Sequence, residues 1–215
     1  QDHLLGVGVD RMDYTKGILE RFMAVERMLE LHPELAGHFS FIQIAAPTRS
    51  ALEEYQTFEA RMHALAGRIN DRFTVDGFPA VILKAEHHEP DQVNRYYRAA
   101  NVCMVTSLHD GMNLVAKEYV AAREDEQGVL VLSQFTGAAH ELHEALIVNP
   151  YHVEQTAEAL YQGLVMPEYE QRERMRSMRA LVRDFNVYRW AGRMLLDAAR
   201  VRQREKLALR IGSDS

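Results

Sequence analysis

The sequence predicts an α/β fold with a doubly wound, mainly parallel sheet and helices on both faces. Three observations predict it. Short apolar runs such as LLGVGV and VLVLS are continuous rather than alternating, as strands buried on both faces require. Between them lie longer stretches with apolar residues three and four apart. Strand and helix patterns alternate along most of the chain, which is the order of a parallel sheet with helical crossovers.

The elements follow in order. Residues 4–9 read as a buried strand, and residues 17–31 as a helix with Ile18, Phe22, Val25 and Leu29 on one face, stopped at His32-Pro33. Residues 39–45 form a second strand. Ser50 caps a long helix through Leu65, in which Phe58 and Met62 stand four apart. Residues 81–84 are a third strand, and Pro90 or Asp91 opens a short helix to about Ala99. Residues 102–105 are a fourth strand, with a helix beginning near Met112. Residues 129–133 and 145–148 complete the strands, and helices occupy 153–166, 167–185 and a stretch from Tyr188. The expected division is a domain over 1–187 and a terminal helix and tail over 188–215.

Composition narrows the function. An apolar content of 47% with 26% charged residues suits a globular protein with a real core. A formal charge of −6 argues against nucleic acid as the main partner. No uninterrupted apolar run is long enough to span a membrane. Cys103 is the only cysteine, so no intrachain disulfide forms, and its apolar surroundings read as core rather than nucleophile. A cytoplasmic location is expected. The chain starts with Gln1 and enters a strand almost at once, so it reads as a piece of something longer, with self-association into a homo-oligomer expected if apolar surface is left open.

In such sheets ligands sit beyond the strand C-terminal ends. The candidate chemistry gathers there. After the first strand, DRMDYTKG offers Arg11 as a fork and Lys16 as a point charge for a diphosphate, with Gly17 letting the next helix approach. The alternative is a salt-bridged loop in which Asp10 and Asp13 take the basic residues. After the fourth strand, SLHDGMNLVAKEYVAA places Asp110 and Gly111 at a turn into a helix, where bare N–H groups cradle an anion. Glycine there also has a purely steric reading. Asp110 at a helix start favours its ionised form, and Glu118 further along can accept sugar hydroxyls or pair with Arg123. Thr136-Gly137-Ala138-Ala139 offers close backbone approach to the same ligand. His87, His88, His140 and His143 match no metal-site spacing, and no metal is expected. No G-x-G-x-x-G opens a helix, so a dinucleotide site is not indicated. Arg172, Arg174, Arg176 and Arg179 read as a solvated helix face.

Five phrases in fixed order carry a resemblance: GVDRMDYTKGI, FIQIAAPTR, TSLHDGMNLVAKEYVAA, SQFTGAAHEL and ALIVNPYHVEQTAEAL. Together they resemble the trehalose-6-phosphate synthases of glycosyltransferase family 20, retaining enzymes that use UDP-glucose and glucose 6-phosphate. The resemblance implies a Rossmann-like domain, the C-terminal, donor-binding half of a two-domain GT-B enzyme, with most glucose 6-phosphate contacts on the other half. By motif position it implies Arg11 and Lys16 on the UDP phosphates and Asp110 on glucose hydroxyls. It implies the backbone of Gly111, Met112 and Asn113 at the glucose, that of Leu114 and Val115 at the phosphates, and Glu118 at the ribose. Arg11, Lys16 and Asp110 are the catalytic candidates, and no cofactor is implied beyond the donor UDP-glucose. The fragment alone is expected to be inactive. In the family the loop near 87–91 usually carries a basic or aromatic residue near the sugar-phosphate site; here it reads HHEPDQ, and an acidic residue there repels phosphate. A glucosylglycerol-phosphate synthase-type acceptor and a non-catalytic nucleotide-sugar module are the alternatives.

Overall fold

The computed structural model describes residues 3–47 and 53–184. Six strands form one sheet: β1 (Leu4–Arg11), β2 (Phe39–Ala46), β3 (Val81–Lys84), β4 (Val102–Val105), β5 (Val129–Ser133) and β6 (Leu146–Val148). Their spatial order is β3-β2-β1-β4-β5-β6, and every pairing is parallel. Strand order therefore reverses between β1 and β4, which opens a crevice above their C-terminal ends.

The period-two geometry of a strand explains the unbroken apolar runs. Val102 and Met104 of β4, with Val129 and Val131 of β5, face one layer of core. Cys103 and Val105, with Leu130 and Leu132, face the other. The first layer is covered by α1 (Ile18–Leu31), α2 (Glu53–Phe73) and α5 (Val153–Val165). The second is covered by α3 (Pro90–Ala99), α4 (Leu114–Ala122) and α6 (Glu168–Asp184). Phe22, Val25 and Leu29, read as one face of the first helix, are fully buried together with Ile18.

Several boundaries differ from expectation. β1 runs two residues further, so Asp10 and Arg11 belong to its end and pair in register with Ala45 and Ala46 of β2. A 3-10 turn, Tyr14–Lys16, precedes α1, which starts at Ile18. α2 continues past Leu65 to Phe73, because Ala66 and Ile69 extend its buried stripe. α4 begins at Leu114 rather than near Met112, because Asn113 is its cap. The expected Ser50 cap, the helix from Tyr188 and the 188–215 tail lie outside the described residues. Among those described, no helix is long and apolar enough to cross a membrane.

Of the α6 arginines expected on a solvated face, Arg172 and Arg176 are exposed, and three of the four also tie the helix to its surroundings. Arg176 pairs with Glu126, and Arg179 Nη1 donates to the carbonyls of Val120 and Ala121 at the end of α4. Arg174 combines an i,i+4 bond to Glu170 with one to the Glu144 carbonyl.

Candidate functional site

Two loops meet over the strand-order reversal, one leaving β1 and one leaving β4. In the first, Asp13 accepts from the Thr15 N–H and hydroxyl, both at 2.8 Å, and so caps the 3-10 turn. Gly17 then takes a left-handed conformation, φ 66°. A methyl group there would collide with the Thr106 carbonyl oxygen, so only glycine allows this loop to close on the end of β4. The Thr15 carbonyl accepts from the Leu108 N–H at 2.8 Å, joining the loops through their backbones.

This closure brings Lys16 and Asp110 together. Lys16 Nζ lies 2.6 Å from Asp110 Oδ2, although 94 residues separate them in sequence. Asp110 also accepts from Asn113 Nδ2 at 3.1 Å and weakly from the Met112 N–H at 3.4 Å. Burial opposes ionisation of Asp110, but Lys16 and these donors outweigh it and hold the carboxyl below its usual range. The salt-bridged alternative thus holds in part: Lys16 is paired, but with the carboxylate across the crevice. Asp10 pairs with Arg21 and Asp13 serves as a cap. The Arg11 side chain is exposed, with no hydrogen bond or ion pair among the described residues.

Asn113 is buried, with φ 63°, and its side-chain oxygen accepts from the Ala116 N–H at 3.0 Å. It both turns the chain and caps α4. The left-handed residue of this turn is therefore Asn113, whereas Gly111 has open space around it. The N–H groups of Leu114 and Val115 stand in the first helical turn, where no carbonyl lies one turn back, and Met112 and Leu114 project into the open. Beside them, Asp110 N donates to the Phe135 carbonyl, while Gly137 and Ala138 N–H groups donate to the carbonyls of Asp110 and Met112. The expected Gly137 loop thus buttresses the turn, as a 3-10 helix over Gly137–His140.

Glu118 lines a separate cavity of about 350 Å³ with Val9, His87, His88, Asn94 and Tyr97. It does not pair with Arg123, which is buried and donates to the carbonyls of Tyr97 and Ala100 and to Asp125. The Tyr97 hydroxyl donates to Glu118 at 3.3 Å; burial raises its pKa, so it remains a donor. His88 is tucked into this wall with its side chain 7% exposed. Glu89 stands at the N-cap of α3, where its N–H donates to Gln92 Oε1 at 3.0 Å, and its side chain is 74% exposed. The place of His88 was findable, since it follows a strand C-terminal end. Among the described residues no three His, Cys, Asp or Glu side chains gather as a metal site. Cys103 is buried, which pushes its thiol pKa up, consistent with a core residue.

Arg21, which sequence patterning left unnoticed, is the largest fully buried side chain among the described residues. Its guanidinium donates to Asp10 at 2.6 Å, Gln43 at 2.7 Å, Thr106 Oγ1 at 3.0 Å and the Lys16 carbonyl at 3.2 Å. Burial raises the Asp10 pKa, and the adjacent guanidinium pulls against that shift. The available signal was its spacing: it lies three after Ile18 and four before Val25, a charge on an apolar stripe.

A parallel sheet with a cationic loop and a helix N-terminus at its strand-order reversal defines a Rossmann-like domain suited to phosphorylated ligands. The chain belongs to glycosyltransferase family 20, whose pattern it matches over residues 1–200. The UDP-forming alpha,alpha-trehalose-phosphate synthase of Pichia angusta is 41% identical over 202 residues, covering 94% of this chain and 42% of that protein. Trehalose-6-phosphate synthase of Klebsiella pneumoniae is 41% identical over 199 residues, 92% of this chain and 42% of its own length. A Burkholderia xenovorans synthase, solved in complex with glucose-6-phosphate, superposes with a TM-score of 0.88 at 44% identity, covering 91% of this chain and 44% of that one. An E. coli structure bound with UDP-2-fluoro glucose gives 0.88 at 38% identity, with 91% and 44% covered. The chain thus spans less than half the length of these relatives.

Proposed function

We propose that this chain is the donor-binding part of a retaining glucosyltransferase that moves glucose from UDP-glucose to glucose 6-phosphate, giving α,α-trehalose 6-phosphate and UDP. The observation that carries the proposal is the Lys16–Asp110 pair at 2.6 Å, set beside the first turn of α4, the helix whose Glu118 lines the cavity. Cation, carboxylate, helix N-terminus and hydroxyl acceptor are the groups a nucleoside-diphosphate sugar needs, and relatives with these names match nearly the whole chain.

In this reading Arg11 and Lys16 take the diphosphate, with the Leu114 and Val115 N–H groups beside them. Asp110, held ionised, accepts from glucose hydroxyls near the backbone of Gly111, Met112 and Asn113. Glu118 accepts from the ribose, and the neighbouring cavity receives the base. Transfer with retention builds negative charge on departing UDP, and the two cations and helix terminus stabilise that charge without a metal. The donor domain spans residues 1–187, with the segment 188–215 outside it, and the enzyme works in the cytoplasm. Titration of the chain with UDP-glucose, with ADP-glucose and NAD as controls, tests the donor. Selective UDP-glucose binding supports the reading; a full-length protein that binds UDP-glucose no better than NAD overturns it.

A further inference from the structure

We infer that Arg21 is a positioning residue, which sets the Lys16 ammonium and the Asp110 carboxylate at their working separation without touching the ligand. The inference rests on the proposed function of that pair. A single guanidinium bonds four partners from four segments: Asp10 on β1, Gln43 on β2, Thr106 just beyond β4, and the carbonyl of Lys16 itself. Thr106 begins the loop that ends in Asp110. One planar fork therefore fixes both roots of the 2.6 Å contact across the crevice.

The surroundings are shaped for that fork. Gly8 lies inside a strand, where glycine costs stability, yet a methyl group there would collide with Arg21 Nη1 and Gln43 Oε1. Stability does not explain the choice, because a well-packed apolar residue usually serves as well as a buried ion pair. Geometry does: a lysine answers Asp10 as a point charge but does not reach Thr106 and the Lys16 carbonyl together. The titratable or charged neighbours of the fork are Asp10, with which it pairs, Lys16, which contributes only its carbonyl to it, and the buried Cys103 thiol, which feels its charge.

The test uses the full-length protein with Arg21→Lys, Thr106→Val, Lys16→Ala and the double variant Arg21→Lys/Lys16→Ala. Val129→Ala, a buried substitution at the opposite end of the sheet, supplies a control for lost stability. Arg21→Lys and Thr106→Val are expected to lower kcat by roughly tenfold or more, with KM for glucose 6-phosphate within about twofold, since small misplacements are costly. On a Lys16→Ala background, Arg21→Lys is expected to cost clearly less than it does alone, because part of its effect passes through Lys16. Losses that multiply independently of Lys16, or a Val129→Ala loss of kcat equal to theirs at the same Tm, would overturn the inference. So would unchanged kcat in either single variant. If Arg21→Lys does not fold, Thr106→Val, which removes one acceptor and conserves volume, decides alone. UDP titration separates the two readings. A protein that binds UDP without transferring glucose overturns the reaction while UDP affinity in the variants still judges the positioning; one that binds no UDP overturns both.

Discussion

Arg11 and Lys16 stand five residues apart, yet the fold gives them different circumstances. Lys16 is held by Asp110, while Arg11 is exposed at the end of β1 and free to meet an incoming anion. In the full-length protein, Arg11→Ala is expected to remove about 2–4 kcal/mol of transition-state stabilisation, read as a fall in kcat/KM, by analogy with losing an oxyanion donor. Undiminished kcat/KM would exclude that role. Asp110 carries a pH prediction. Its folded pKa lies below the ordinary 3.8, so its favourable contribution is present above 3.8 and disappears as pH falls through the depressed value. Urea unfolding of wild type and Asp110→Asn is therefore expected to differ most near neutrality and to converge below that window. Equal separation at every pH would remove the linkage. At this scale Lys16 and Asp110 were legible as candidates, because each adjoins a glycine in the loop after a strand. Arg21 was not: a charge inside a helix reads as solvated until tertiary packing closes over it.

Elements place these residues through their ends. Gly17 makes the approach of the β1 loop to β4 possible, so Gly17→Ala meets both a left-handed φ and a collision with the Thr106 carbonyl. A loss of about 2 kcal/mol or more is expected, with UDP affinity falling alongside Tm. Asn113 offers a finer test. Asn113→Ala loses the cap and keeps the strain, and is expected to cost about 1–3 kcal/mol, whereas Asn113→Gly relieves the strain and costs less. Thermal melts of the two variants rank them; the reverse order would show that the positive φ at 113 stores little strain, since both variants lack the cap bond. Element types followed from periodicity, but ends did not. The start of α4 was misplaced by two residues because Gly111 looked like the turn, while the residue in the left-handed region is Asn113, whose side chain satisfies the helix at the same time. α2 outran its expected end because a polar stretch after Leu65 hides Ile69 on the buried face.

For the whole molecule, the strand-order reversal does most to define the site, and it is invisible in any one segment. Parallel pairing was readable from the apolar runs; the order β3-β2-β1-β4-β5-β6 emerges only when both faces are covered. Phe22, fully buried in the layer beneath α1, links this architecture to stability, and Phe22→Ala is expected to cost about 3–5 kcal/mol by chemical denaturation. A loss under about 1 kcal/mol would show that this layer repacks freely. The same order decides which strands are left at the margins. The long β1 and β2 lie inside, and the outermost strands are the two of four and three residues, β3 and β6. Each margin therefore offers little unpaired backbone for a foreign strand to template on, and β3 ends in a lysine. The sheet is thereby guarded against edge-to-edge aggregation, even though its most apolar strands are the kind that fibrils recruit.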